Sequence, residues 1–298
     1  MLKKSAIKRI IISTMGLVIL LLLCIFPSNN PQIAEEVIYV EEMTLPIYIL
    51  DKNEYVARTN IVKKDDEVIP YIISTLTMDS PYNAYIPNGF YAIIPKDTKL
   101  INYSLENDLL KINFSKEFLN TSLETEEKVI EALIFSLCEL DNVKKLMIFV
   151  DGESLTELPN SHKKLPLVLD KTYGINKVYN FNNIKNTTKT TIYYMSKYND
   201  DLYYIPITKI TNDDIEPVEV IINELKSTPI YETNLISYLN ASYELKEYEI
   251  LQNSISLSFN NYILANLDNS SINEEVKYSL SLSIRDTYDM DDIVININ

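Results

Sequence analysis

The chain holds one histidine, His162, and two cysteines, Cys24 and Cys138. A Ser-His-acid triad or a multi-histidine metal site would have to be built on His162, which sits in the polar run NSHKK without an evident orienting partner. The expectation is a solvated loop histidine. Cys138 lies in the apolar-rich EALIFSLCEL and reads as a buried structural thiol. Asp286, Asp289, Asp291 and Asp292 crowd one turn and offer oxygen ligands of the kind calcium takes. Their spacing is not that of a D-x-[DN]-x-[DN]-G loop, and a solvated acidic turn accounts for them more simply. Four glycines form no phosphate-cradling loop, and G-x-S-x-G is absent. The chain is therefore read as a non-enzyme, with no catalytic residue, cofactor or metal expected.

Aromatic residues are the other chemistry on offer, since the chain has 22 tyrosines. Tyr48, Tyr55, Tyr193 and Tyr203 fall in alternating, strand-like runs and are expected to pack in sheets. Tyr82, Tyr85, Phe90 and Tyr91 fall in an irregular stretch marked by Pro81, Pro87, Asn88-Gly89 and Pro95. They are the first candidates for a contact surface, whether for a protein or, through ring stacking, for a glycan.

The elements that position these residues are duplicated. Residues 98–119, TKLINYSLENDLLKINFSKEFL, return 145 positions later as 243–264, YELKEYEILQNSISLSFNNYIL. Leu100 falls on Leu245, Tyr103 on Tyr248, Leu110 on Ile255, Ile112 on Leu257 and Phe114 on Phe259 without a gap. Each copy alternates apolar and polar residues around a polar pair, Asn107-Asp108 or Gln252-Asn253, which is the pattern of a tight hairpin. Before the first hairpin, 45–50 and 55–62 read as strands, and Asp65-Asp66 are placed to cap a helix bearing Val68, Ile69, Ile72, Ile73 and Leu76. After it, Thr125-Glu126-Glu127-Lys128 opens a helix with an apolar stripe from Val129 to Leu140, and 145–150 closes as a strand before the Asp151-Gly152 turn.

The second copy repeats the order, with strands at 192–195 and 202–210 and a helix after Asp213-Asp214. Residues 277–284, KYSLSLSI, alternate with period two and locally read as a strand. At an offset of 147, however, Val276 answers Val129, Leu280 answers Leu133 and Ile284 answers Leu137, so the repeat predicts a helix there. Between the copies, the first half of 155–188 is too apolar for a free linker and is expected to pack back on the first copy. The Asn-rich part, 180–186, is expected to be loose.

Lys3, Lys4, Lys8 and Arg9 precede an uncharged run at 10–26. That length is short for a membrane-spanning helix but sufficient, and the flanking cations put residues 1–9 in the cytoplasm. Cleaved secretion and lipidation at Cys24 are the alternatives, although the bulky Leu23 before Cys24 departs from a lipobox. Taking the +4 of residues 1–9 from the net −15 leaves −19 on the remainder. So acidic a surface excludes nucleic acid as a partner.

NFSKEF at 113–118, the preceding IPKDTKL, the Glu-rich helix, and KLMIFVDG resemble the GerM domain family, and in particular its two-domain members. YYIPITKI at 203–210 and PLVLDKTYGIN at 166–176 extend the resemblance over 45–298. It implies an α+β fold of two tandem ring-building-like domains, each a small sheet with two helices on one face, behind one N-terminal transmembrane helix. It also implies a non-enzymatic protein of sporulation and spore germination on the outer side of a Gram-positive cell membrane. The expected layout is a cytoplasmic tail 1–9, an anchor 10–26, a stalk 27–44, a first domain 45–170, a linker 171–188 and a second domain 189–298.

The second copy has SFNNYI in place of NFSKEF and is expected to lack the Asp151-Gly152 turn. Lys116, Glu117 and Asp151 of the first copy therefore join Tyr82, Tyr85, Phe90 and Tyr91 as candidate contact residues. The expected function is a scaffold that acts by protein–protein assembly with other membrane or envelope proteins or with a second copy of itself. The alternative is a cell-wall or glycan-binding module, with a secreted enzyme behind both.

Overall fold

The computed structural model describes residues 4–25, 43–181, 186–212, 214–227, 234–260, 263–266, 271–290 and 292–297. The chain divides into two units, residues 1–41 and 42–298. In the first unit, Lys4–Ile25 is one 22-residue helix, α1. Among the described residues no helix is long and apolar enough to cross a membrane. The spanning segment expected over 10–26 is thus not a finding of the fold. Most of the expected stalk, together with Asp213, Pro229, Asp291 and most of the Asn-rich run, lies outside the described residues.

The second unit opens with a hairpin, β1 (Thr44–Asp51) and β2 (Val56–Val62), followed by α2 (Val68–Leu76). The expected cap differs in detail. Glu67 is the N-cap and makes no side-chain capping bond, while Asp65 accepts the Glu67 N–H at 3.0 Å and the Tyr82 hydroxyl at 3.0 Å. Strand β3 (Phe90–Tyr91) adds to the outer edge of β1. The predicted hairpin is β4 (Leu100–Glu106) and β5 (Leu109–Phe114), with Asn107 and Asp108 both at positive φ, the geometry of a type I′ turn. Helix α3 (Glu126–Leu137), strand β6 (Lys145–Val150) and strand β7 (Glu153–Ser154) complete the first copy. Its small sheet runs β4-β5-β6-β7.

Strand β8 (Val178–Asn180) leads to the second hairpin, β9 (Thr188–Tyr198) and β10 (Asp201–Thr211), and then α4 (Pro217–Lys226). Strands β11 (Leu245–Ile250) and β12 (Ser254–Phe259) repeat the predicted hairpin in the expected register, Tyr248 opposite Leu257 as Tyr103 is opposite Ile112. A short pair, β13 (Leu264–Asn266) and β14 (Ser271–Ile272), precedes α5 (Glu274–Tyr288) and β15 (Asp292–Ile297), which lies parallel to β12.

Residues 277–284 are helical, as the repeat required against the local alternation. The serines explain the misleading pattern. Ser279 and Ser283 are buried on the face of α5 that meets β9, and the Ser283 hydroxyl accepts the Tyr193 N–H at 2.9 Å. Ser136 does the same for Tyr48 in the first copy, at 2.8 Å. A small polar residue on the helix thus satisfies a donor on the open edge of a strand, and its polarity disguises the helical stripe.

The leading hairpins of the two copies join. β10 pairs with β9 along its length, meets β2 at Tyr204 opposite Arg58, and takes β8 in parallel at 209–211, giving one six-stranded sheet. Part of the expected linker is therefore built into this sheet. Leu158, Leu165, Leu169 and Ile175 are buried, so the preceding segment packs into the fold as its composition predicted. One hydrophobic cluster runs through both copies.

Candidate functional site

The densest chemistry in the described residues is at the junction of the two copies. Tyr48 on β1 and Tyr193 on β9 place their hydroxyls 2.7 Å apart. The Tyr193 hydroxyl donates to Asp286, and the single proton of the Tyr48 hydroxyl is shared between Tyr193 and Glu139, which lies 2.9 Å away. Glu139 follows α3, and Asp286, which answers it at the 147-residue offset, lies in α5. Both carboxylates are almost wholly buried, at 5% and 2% side-chain exposure. Three cations meet them. Lys171 Nζ lies 2.8 Å from Glu139 and 2.9 Å from Asp286. Arg285 gives Nε to Asp286 at 3.0 Å and Nη2 to Glu139, and Arg58 Nη2 stands 3.8 Å from Glu139.

Burial opposes the charge on both carboxylates, yet Lys171 and Arg285 hold both below the usual carboxylate range. Burial, then the neighbouring carboxylates, push the Tyr48 and Tyr193 hydroxyls far up, so they stay protonated donors. A cleft of about 260 Å³ adjoins this cluster, lined by Cys138, Lys144, Lys171, Arg285 and Asp286 among others. Burial raises the Cys138 thiol to about 12, which leaves it without nucleophilic thiolate at neutral pH. The arrangement pairs charges across the copies. It sets no base against a nucleophile.

Asn176 makes the second joint. At φ 45° its side chain accepts the Val56 N–H at 3.0 Å and donates to the carbonyls of Val56 and Pro206 at 2.8 and 2.7 Å. It thus ties β2 to β10 at the backbone. Its own N–H donates to Glu131, which pairs with Lys177. Gly174, at φ 83°, admits this close passage, since a Cβ there would stand 3.1 Å from the Thr208 side chain.

The predicted contact residues fall into two groups on different sheets. In the aromatic group, Tyr82 is half-buried, with its ring 4.9 Å edge-on to Tyr71 and its hydroxyl on Asp65. Phe90 is buried against Tyr203, ring centres 4.8 Å apart, and is corrected from a surface to a core residue. Tyr85 and Tyr91 are exposed, and Lys64 stands over the Tyr85 ring. Turning Tyr82 and Phe90 inward breaks up the continuous aromatic face that the sequence suggested.

The second group converges. The Asp151 N–H donates to the Phe114 carbonyl at 2.8 Å and the Gly152 N–H to the Asn113 side chain at 3.0 Å. Phe114 stacks on Phe118 at 4.5 Å. Lys116, Glu117 and Asp151 therefore sit around one structured tip.

His162 is exposed and contacts Glu157 through Nδ1. The acidic turn does not converge. Asp286 is turned inward to its cations, Asp289 takes the left-handed position that ends α5, and Asp291 lies outside the described residues. No group of three or more His, Cys, Asp or Glu among the described residues is arranged to hold a metal.

Residues 46–156 match the family model described as Germane, sporulation and spore germination. The chain is 28% identical over 259 residues to the spore germination protein GerM of Bacillus subtilis (strain 168), covering 85% of this chain and 70% of that protein. Its fold is similar to the solved tandem GerMN domains of the sporulation protein GerM from Bacillus subtilis, with a TM-score of 0.77 at 26% identity, covering 86% of this chain and 91% of that one. The match to the tandem structure takes in both copies and therefore the junction between them. With the duplicated hairpin, the NFSKEF tip and the α+β architecture in agreement, residues 46–156 match the Germane family and the chain as a whole is similar to tandem-domain GerM.

Proposed function

We propose that this protein is a membrane-anchored, extracytoplasmic scaffold of sporulation or spore germination that acts by protein–protein assembly and catalyses no reaction. The observation that carries the reading is the junction. The buried carboxylates Glu139 and Asp286, with Lys171 and Arg285 against them, are spent on holding two copies of one domain in a fixed relation. Such use suits a rigid platform more than a reactive site. The similarity to GerM supplies the biological setting.

The anchor rests on the sequence. Residues 10–26 carry no charge, and 10–25 lie in α1, where at about 1.5 Å per residue they span ~24 Å, short of a hydrocarbon core of ~30 Å but within reach of a thin bilayer. The cations of residues 1–9 assign that end to the cytoplasm and residues 43–298 to the outside. Lipidation at Cys24 is the rival mode of attachment. Alkaline extraction of membranes keeps a spanning chain in the pellet, and Cys24→Ala leaves it there; loss of the Cys24→Ala variant from the membrane would establish the lipoprotein instead.

Cross-linking of the chain to another envelope protein during sporulation, with the tagged protein localised through the life cycle, tests the scaffold. Retention on purified peptidoglycan that is lost in Tyr85→Ala and Tyr91→Ala would support the glycan-binding alternative in its place.

A further inference from the structure

The small sheets of the two copies present different outward faces. Strand residues alternate between the two sides of a sheet, so the buried Leu110 and Ile112 on β5 and Leu146 and Ile148 on β6 define the core side. Between them Leu109, Lys111, Met147 and Phe149 point outward and are partly exposed. The register sets Leu109 beside Lys145 and Lys111 beside Met147. Val168, next to the bridge between Leu169 and Leu146, extends this outward row and is 40% exposed.

The second copy keeps the core side in kind, with Ile255, Leu257, Ile293 and Ile295 answering Leu110, Ile112, Leu146 and Ile148. Its outward side is not kept. Leu109 and Lys111 fall on Ser254 and Ser256 at the 145-residue offset, and Lys145 and Phe149 fall on Asp292 and Asn296 at the offset of 147. Met147 alone finds an aliphatic counterpart, Val294, while Glu247 and Glu249 of β11 stand opposite Ser258 and Ser256. The same framework is thus built with a polar outward face, as a sheet with one side on water usually has. The apolar residues of the first copy are surplus to folding and mark a contact surface.

The charges on that face select the occupant. With a net charge of −15, the chain repels another copy of itself over most of its surface. Here the balance is reversed, because Lys111 and Lys145 stand with one acid, Glu106, which lies 3.9 Å from Lys111. Two such faces related by a twofold axis set lysine of one molecule against glutamate of the other, and Met147 and Phe149 against their own equivalents. The outward face of the second copy would offer those two side chains mostly serine, asparagine and carboxylate.

We infer that the outward face of β5 and β6 is a twofold contact between two molecules of this protein, centred on Met147 and Phe149. This deepens the scaffold reading and rests on it. Chains anchored through α1 stand in one orientation to the membrane, and a twofold axis along the membrane normal preserves that orientation.

The test uses the full chain in detergent micelles, with light scattering giving the protein mass through a dilution series. A two-molecule species is expected, and Met147→Asp and Phe149→Asp should each raise its dissociation constant at least about tenfold. Lys111→Glu combined with Lys145→Glu makes the charged groups of the face all acidic, alters no buried side chain, and should act in the same direction. Val294→Asp, on the face of the second copy, should change nothing. A single-molecule mass at every concentration, or association indifferent to the changes at 111, 145, 147 and 149, overturns the proposal.

A photo-crosslinker in place of Phe149, in the native membrane, is expected to label β5 or β6 of a second molecule. Labelling of β12 or β15 makes the contact head-to-tail, and labelling of another protein or of residues 27–42 of the same chain gives the face a different occupant; each overturns the proposal. If envelope proteins are captured through other surfaces while the chain stays single, the face is refuted and the scaffold stands. If the two-molecule species forms but no envelope protein is captured anywhere on it, the scaffold reading fails and the face stands.

Discussion

The hydroxyls of Tyr48 and Tyr193 lie 2.7 Å apart, and the two residues are 145 positions apart, the same interval that relates the two hairpins. Each hydroxyl also reaches the acid that belongs to its own copy, Glu139 or Asp286. Like meets like across the junction. With Tyr193 donating to Asp286, Tyr48 has one proton for Tyr193 and Glu139 together, and replacing it by Phe removes that donor and is expected to cost about 1–3 kcal/mol of stability. Tyr193→Phe should cost a similar amount. Because they share one bond, the double variant is expected to lose less than the sum of the singles by about 0.5–1.5 kcal/mol, measured by urea unfolding of all four proteins.

The carboxylates behind the tyrosines predict an acid limb of stability. Burial works against their ionisation, but Lys171 and Arg285 hold both below the values they take in the unfolded chain, which are near ~4. Their contribution is therefore complete above about pH 4 and is lost as pH falls through the lower folded values. The melting temperature should drop over that range, and Glu139→Gln or Asp286→Asn should flatten the drop. At neutral pH each of those variants leaves buried cations short of a partner and is expected to cost about 3–5 kcal/mol.

Asn176 offers a test of the joint between β2 and β10. Asn176→Ala removes three side-chain bonds to the backbone of both copies and is expected to cost about 1–3 kcal/mol. Its positive φ is a confounding factor that Asn176→Gly removes. Thermal unfolding should show the glycine variant still well below the parent, which assigns the effect to the side chain.

The two hairpin turns should respond differently to glycine. Asp108 sits at φ 61° in a type I′ turn, so Asp108→Gly is expected to stabilise the protein by about 0.5–1 kcal/mol. Asn253, its counterpart, is not at positive φ, and Asn253→Gly should bring no gain. Calorimetry on the two single variants checks the contrast.

Much of the framework was legible because it is written twice. The offset from Leu100 to Leu245 set the strand register, and that from Val129 to Val276 correctly turned an apparent strand into α5. The junction was not legible. Tyr48 and Tyr193 look like ordinary alternating strand residues, and Asp286 looks like one more acid in a crowded turn. Only the repeat marks them, because its offset of 145 carries Tyr48 to Tyr193 and its later offset of 147 carries Glu139 to Asp286, polar residues kept in kind at buried positions. The aromatic stretch misled for the opposite reason. Local irregularity suggested exposure, but tertiary packing drew Phe90 under Tyr203 and gave the Tyr82 hydroxyl to Asp65.

The pairing of Tyr48 with Tyr193 has the form of an isologous dimer contact contained in a single polypeptide. Two separate subunits joined in this way would associate only as far as their concentration allowed, and could part on dilution. With both on one chain, the stoichiometry is set at synthesis. The chain then keeps its paired geometry at any expression level.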